Sequence, residues 1–388
     1  MISYSGKRIL HVFGQMVHGG AEMRTLELMR HIDRRAYKLD FCVLSGLPGP
    51  LDSEIRALGG EVHPCRLGPT FAYRFRRLLR ERRFDVVHAH VHYFSGLILL
   101  LAARCGIPGR VVHFRTPHDG RASGLLRRIQ RGLLRHWIDR YATHILAVSR
   151  AAMTGAWRAD WQADPRCQVI YNGLPPAAFE GPADRERVLC EFGFPSKCLL
   201  AIHVGRLAPE KNHARLLRIF RVLQARNANA RLLIVGSGNR RSLEWLQNQI
   251  EALGISDCVV AAGERTDVPR LLGAADVLIF PSLWEGLPGA VLEASAAGTP
   301  VVASNLPALR EIASDFPSVY CVSLGEPDTR WVEAVEEAAG SKRSEPGRLA
   351  VQRRFARSAF AIDQAAKRIC RVWEDALAQA LPGGPQNG

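Results

Sequence analysis

No stretch of this sequence stays apolar long enough to cross a bilayer. The longest run, Phe94 to Ala103, is about half the ~20 residues that a spanning helix needs. The start does not read as a secretory leader, because Met1 to Lys7 is polar and Arg8 to Phe13 is interrupted by charge and histidine. Paired cysteines are missing as well. The nine cysteines are scattered from Cys42 to Cys370, odd in number and never spaced as Cys-x-x-Cys. That pattern predicts reduced thiols in a cytoplasmic setting and argues against a disulfide framework. Two phosphate-associated motifs are absent: Asp-x-Asp, and Gly-x-Gly-x-x-Gly, of which Gly236-Ser-Gly238 is only a fragment. No solenoid repeat is visible. Acidic residues are scarce in the first half, where residues 1–190 hold 29 Lys/Arg against 16 Asp/Glu and so carry +13 of the net +15. A basic half implies an anionic partner: nucleic acid, a membrane surface or an acidic substrate. The arginine-rich stretches are read as lacking interleaved surface aromatics and any zinc or RNA-binding signature, which argues against nucleic acid.

What is present is an α/β pattern. A chain of 388 residues predicts two domains, and short β-branched runs alternate with helical periods in both halves. The most informative stretch is Pro281-Ser-Leu-Trp-Glu-Gly-Leu-Pro288, between the buried strand pattern Asp276–Phe280 and a helix from Gly289 to Ala297 that Gly298 ends. Glu285 then sits in a loop at the carboxyl end of a strand, the edge where open α/β sheets bind ligands, and Glu293 lies about one turn into the next helix. The amides of Gly286, Leu287 and Gly289 suit an anion. The two carboxylates suit the hydroxyls of a neutral sugar. Arg206 and Lys211 lie five apart in the loop after the strand pattern Leu199–Val204 and can converge on a diphosphate. In the first half, Gly19-Gly20 opens a helix after the strand Arg8–Phe13 and permits close approach of a ligand or backbone.

The run from Pro281 to Val302 resembles the donor-site signature of retaining nucleotide-sugar glycosyltransferases of family four (group 1), which have the GT-B fold. Gly19-Gly-Ala-Glu22, Ala147-Val-Ser149, Ile170-Tyr-Asn-Gly173 and Gly205-Arg-Leu-x-x-x-Lys211 resemble further signposts of that family. The resemblance implies two Rossmann-like domains facing across a cleft. Residues 1–175 would bind the acceptor and 198–355 the nucleotide sugar, with a linker at 176–197. A C-terminal helix over 356–380 would cross back, followed by a disordered tail at 381–388. It implies transfer of a sugar from a nucleotide-diphosphate donor, UDP-linked, to a glycan or lipid-linked acceptor in surface polysaccharide or lipopolysaccharide synthesis. Configuration would be retained, with no metal and no cofactor. Glu285 would position the donor sugar and Glu293 the ribose. Arg206, Lys211, Gly19, Gly20, Gly286 and Leu287 would face the diphosphate, and Arg265 the nucleobase. Phe114-Arg115-Thr116 stands where the family often has Phe-His-Thr, so Arg115 would hold a donor phosphate or an acidic acceptor, and His113 or His118 would supply the imidazole. A nucleotide-sugar epimerase or sugar phosphorylase of the same architecture is the alternative.

Two further patterns remain open at this level. His88, His90 and His92 alternate along a strand, which invites a metal reading, but no carboxylate or cysteine lies at a ligand spacing; histidines lining a cleft fit better. The segments Phe71–Phe84 and Gly124–Arg140 read as arginine-rich amphipathic helices, the second with Leu126, Ile129, Leu133 and Trp137 opposite Arg128, Arg131 and Arg135. They are either peripheral anchors on an anionic membrane or core-packed helices with solvated basic faces.

Overall fold

The computed structural model describes residues 6–120, 124–181, 184–341 and 345–379. The chain divides into two compact units, Met1–Gly173 joined by Ile362–Gly388, and Leu174–Ala361.

The first unit is built on seven strands: β1 (Lys7–Phe13), β2 (Tyr37–Val43), β3 (Val62–Pro64), β4 (Val86–Ala89), β5 (Gly109–Phe114), β6 (His144–Ala147) and β7 (Cys167–Val169). They form one parallel sheet in the order β3-β2-β1-β4-β5-β6-β7. The second unit has β8 (Leu199–Val204), β9 (Ala230–Val235), β10 (Val259–Gly263), β11 (Val277–Phe280), β12 (Val301–Ser304) and β13 (Val319–Val322). These are also all parallel, in the order β10-β9-β8-β11-β12-β13. Parallel strands covered on both faces need continuous apolar runs. Leu200, Ala201 and Ile202 of β8 and all four residues of β11 are accordingly buried. In each sheet the strand order reverses beside the unit's first strand, between β1 and β4 and between β8 and β11. At such a reversal the exit loops diverge and leave a crevice at the carboxyl edge.

Two expectations about organisation change. Residues 176–197 are not a free linker. They hold a 3-10 turn (Pro176–Phe179) and a helix (Arg185–Glu191) inside the second unit. Arg185 fastens this helix by bonds to Cys198 O and the Asp276 carboxylate. The C-terminal segment is not one helix either. It is Glu345–Arg357 in the second unit and Ile362–Ala378 in the first. The break at 358–361 arises because Ser358 turns its hydroxyl onto Phe355 O and accepts from Phe360 N, while Phe360 O accepts from Leu174 N. The predicted tail 381–388 lies outside the described residues.

The two basic helices part ways. Phe71–Arg82 buries Phe71, Phe75 and Leu79 and leaves its arginine face to solvent, as an ordinary surface helix does. Leu125–Tyr141 instead buries Leu134 and Ile138. The stripe opposite Arg128, Arg131 and Arg135 is turned out, with Leu126 83%, Ile129 63% and Leu133 48% exposed. Its arginines are the groups drawn back to the protein: Arg127 and Arg131 bond the Asp119 carboxylate, and Arg135 bonds Trp157 O and lies over the Trp157 ring.

Candidate functional site

In the second unit, the loops leaving β8 and β11 flank the reversal point and are stitched together. Leu283 N–H bonds to Glu210 O at 2.8 Å, and Asn212 Nδ2 to Pro281 O at 3.1 Å. Asn212 sits in the left-handed region, at φ 54, which turns the first loop into helix His213–Arg226. A third loop supports the first. Leu207 N–H bonds to Ser237 O, and Gly236 passes so close that a Cβ there would stand 2.0 Å from Gly205 O.

This scaffold brings Lys211 and Glu285 into direct contact. Lys211 Nζ lies 2.7 Å from Glu285 Oε1, with the two side chains only 16% and 10% exposed. The ammonium also lies 4.8 Å from the centre of the Phe280 ring. Arg206 is 65% exposed and makes only a long 3.4 Å contact with Glu210, so its guanidinium can reach a ligand at little cost. Pro288 caps helix Gly289–Ala297, and Gly298 ends it in the left-handed conformation at φ 74. Gly286 and Leu287 are buried just ahead of the helix start. Glu293 leans back over the first turn, its Oε1 3.9 Å from where a Cβ on Gly289 would be. One lysine, one arginine, two carboxylates and a helix N-terminus thus share the carboxyl edge of a single sheet. That set can hold phosphate oxygens on its cations and amides, and hydroxyls on its carboxylates.

Arg265 is differently placed. Its guanidinium is engaged by Asp267 at 2.8 Å and Glu191 at 2.8 Å, over the Phe192 ring. Hydrogen bonding to Asp267 raises its pKa further, and Asp267 is held well below the usual carboxylate range by the same contact. What this loop has to offer a ligand is backbone, not a free cation.

In the first unit, Gly19 and Gly20 form the N-terminus of helix Gly20–His31, and Gly20 has open space where a side chain would be. Arg115 leaves β5 and is held by Asn172 Oδ1 at 2.8 Å, His90 Nδ1 at 3.2 Å and Thr25 Oγ1 at 3.5 Å. Burial lowers its pKa to about 10, and the Glu22 carboxylate works against that. His113 is buried, 2% exposed, and kept neutral by burial and by Arg115. The alternating histidines split. His88 and His90 join His11 of β1, with one nitrogen of each within 4.8 Å of the others. His92 instead heads a 3-10 turn and packs against Tyr93 and Phe114. His11 pairs with His88 in the register of β1 and β4. Sequence reading passed over His11, Thr25 and Asn172 as partners of this group; the histidine alternating with apolar residues in β1 was the one signal for them.

The family model for glycosyltransferase family 4 matches residues 18–178, and that for glycosyl transferases group 1 matches residues 184–345. The chain is 29% identical over 313 residues to the Staphylococcus aureus capsular polysaccharide biosynthesis glycosyltransferase CapH, covering 80% of this chain and 84% of that one. It is 29% identical over 242 residues to the Escherichia coli UDP-Gal:alpha-D-GlcNAc-diphosphoundecaprenol alpha-1,3-galactosyltransferase, covering 59% of this chain and 60% of that one. The crystal structure of Anabaena HepE in complex with UDP superposes with a TM-score of 0.78 at 17% identity, over 95% of this chain and 99% of that chain. Two parallel Rossmann-like sheets and two matching family models together place the chain in the family 4, group 1 glycosyltransferases of GT-B fold, and it is a glycosyltransferase.

Proposed function

We propose that the enzyme moves a hexose from a UDP-sugar to a lipid-linked or glycan acceptor of surface polysaccharide synthesis, with retention of configuration and without a metal. The observation that carries this reading is the Lys211–Glu285 pair on the two stitched loops at the sheet's reversal point. When the sugar–phosphate bond breaks, negative charge builds on the departing diphosphate. Lys211 and the amides at the start of helix Gly289–Ala297 are donors fixed in advance at one edge, the arrangement that stabilises such charge without reorganisation, and the exposed Arg206 guanidinium reaches in beside them. Glu285 accepts hydrogen bonds from the sugar hydroxyls and Glu293 from the ribose. Of the first unit's residues, Gly19, Gly20, His113 and Arg115 are assigned to the same function. The leaving phosphate itself takes the acceptor's proton. Support for the donor and acceptor comes from the printed names of relatives: HepE was solved with UDP and with UDP-glucose, and the Escherichia coli relative uses UDP-Gal and a diphosphoundecaprenol acceptor.

The same reading includes peripheral contact with the cytoplasmic face of the membrane. The contact is assigned to Leu125, Leu126, Ile129 and Leu133 of helix Leu125–Tyr141, which are 48–83% exposed. Each leucine fully withdrawn from water is worth roughly 1.5–3 kcal/mol.

The test is incubation with a panel of UDP-sugars and a polyprenyl-diphosphate sugar acceptor, with product masses read by mass spectrometry. Acceptor mass should rise by one hexose for one donor, with an α-linkage from an α-donor. Conversion of the UDP-sugar to its epimer without acceptor, or phosphate-dependent cleavage of a glycan, would assign the site to an epimerase or a phosphorylase instead.

A further inference from the structure

Strand β8 reads Leu199-Leu-Ala-Ile-His-Val204, and its one polar side chain, His203, is fully buried. Burial, and then His213 beside it, lower the His203 pKa to about 3, so the ring is neutral. His203 Nδ1 lies 2.8 Å from the backbone oxygen of Ile279 on β11. A carbonyl only accepts, so Nδ1 carries the ring proton and Nε2 keeps a lone pair. That Nε2 is buried and has no hydrogen-bond partner among the described residues. An unpaired buried acceptor is a cost that a leucine at this position would not carry, so packing alone does not call for an imidazole here.

The Nδ1 bond falls where the two strands part. β8 and β11 pair at Ala201–Val277 and Ile202–Leu278, and their pairing ends there. β8 runs on to Val204 beside β9, and β11 runs on to Phe280 beside β12. His203 and Ile279 are the next residues in that register, and the imidazole bridges the strands where the ladder stops. It therefore ties the floor of the crevice from which the Lys211 and Glu285 loops diverge.

The same ring touches what surrounds Lys211. It stacks on Phe280, with centroids 5.8 Å apart, and the Lys211 ammonium lies 4.8 Å from the centre of that phenyl ring. His213, which begins the helix after the Lys211 loop, packs edge-on against His203 with centroids 4.8 Å apart. At Gly205, His203 Nε2 and the Cδ and Cε of Lys211 close on one point. They stand 3.4, 3.3 and 3.3 Å from where a Cβ would be.

We propose that His203 is a positioning residue for sugar transfer, a role that rests on Lys211 being a ligand of the donor diphosphate. By donating to Ile279 O it sets the spacing of the β8 and β11 exits. Through Phe280 and the Lys211 stem it holds the ammonium where the departing diphosphate meets it. His203 acts only through these neighbours, since its own side chain is buried beneath them.

The test is calorimetry of the full chain with UDP, in the parent and in a Lys211→Met background. His203→Leu keeps the strand apolar and removes the donor. It should weaken UDP binding about 3–10-fold in the parent and leave it unchanged in Lys211→Met, where there is no ammonium left to position. His203→Asn puts an amide N–H where Nδ1 donates and should restore most of the affinity, whereas His203→Gln, whose amide reaches the Nε2 side, should not. An equal loss in both backgrounds, or parent-like affinity in His203→Leu, would overturn the proposal and leave Lys211 standing as a ligand. Unchanged UDP binding in Lys211→Met would remove that reading and the proposal with it. Should His203→Leu fail to fold, the Asn and Gln variants decide, equal affinity in the two counting against a role for the Nδ1 bond. Imidazole nitrogen NMR of the unaltered protein at neutral pH should find the His203 proton on Nδ1; a proton on Nε2 would overturn the proposal by itself.

Discussion

Replacing Lys211 by methionine tests the site most directly, because it separates what Lys211 does for the fold from what it does for the ligand. Methionine keeps most of the side-chain length and the contact with Phe280 but removes the charge, leaving Glu285 without its 2.7 Å partner. Exposed ion pairs contribute about 0–1 kcal/mol, whereas stripping one partner from a fully buried pair costs about 3–5 kcal/mol. With side chains 16% and 10% exposed, this pair falls between those limits, at about 2 kcal/mol. Glu285→Gln should cost less, since the amide oxygen still accepts from Nζ. In a double-mutant cycle followed by urea denaturation, the pair should show a coupling of about 1–2 kcal/mol. Calorimetry with UDP then separates the roles. Losing one charge-assisted bond to a phosphate, about 1.5–3 kcal/mol, weakens UDP binding by about 10–150-fold in Lys211→Met. Glu285→Gln should bind UDP about as tightly as the parent while losing sugar transfer by orders of magnitude. Additivity within ~0.3 kcal/mol, or unchanged UDP affinity in Lys211→Met, would refute the reasoning.

Acid should weaken both units. His11 in the first and His203 in the second are each lowered to about 3 by burial, against an ordinary 6.5. Between those values the unfolded chain binds protons that the folded chain refuses. Stability is therefore full above pH 6.5 and falls as pH drops towards 3, by about 2 kcal/mol per histidine at pH 5; a flat urea midpoint from pH 7 to 5 would contradict this. Leu126→Glu with Ile129→Glu should abolish sedimentation with anionic liposomes and leave the thermal midpoint unchanged, since both side chains are mostly exposed. Undiminished sedimentation would remove this helix from the membrane reading. Gly236→Ala should dislodge the Gly205–Asn212 loop, because φ is 151 and the new Cβ would press on Gly205 O at 2.0 Å. UDP binding should fall at least tenfold, and unaltered binding in a fully folded variant would show the three loops to be uncoupled.

Much of the candidate site at the β11 exit was legible beforehand, because its information is local. The run from Pro281 to Val302 states a strand end, a turn and a helix start in consecutive residues, and their positions place Glu285, Gly286 and Glu293 without help from elsewhere. The commitment of Arg265 to Asp267 and Glu191 was not legible, because Glu191 is 74 residues away in sequence. The helix Leu125–Tyr141 kept two readings for a different reason. Its apolar residues form two stripes, Leu126-Ile129-Leu133 and Leu134-Ile138, and periodicity cannot tell which of them meets the core.

By itself the sequence determined the class of the fold, the two-unit plan, the family and the strand–loop–helix order from Asp276 to Gly298, since strand and helix periods, turn residues and contiguous motifs act over a few positions. Only tertiary structure decided that Lys211 and Glu285 touch, that the returning C-terminal helix begins as late as Ile362, and that His11, His88, His90 and Arg115 form one group. Those outcomes depend on the lateral order of parallel strands. That order is set by which faces bury together, and no short stretch of residues encodes it.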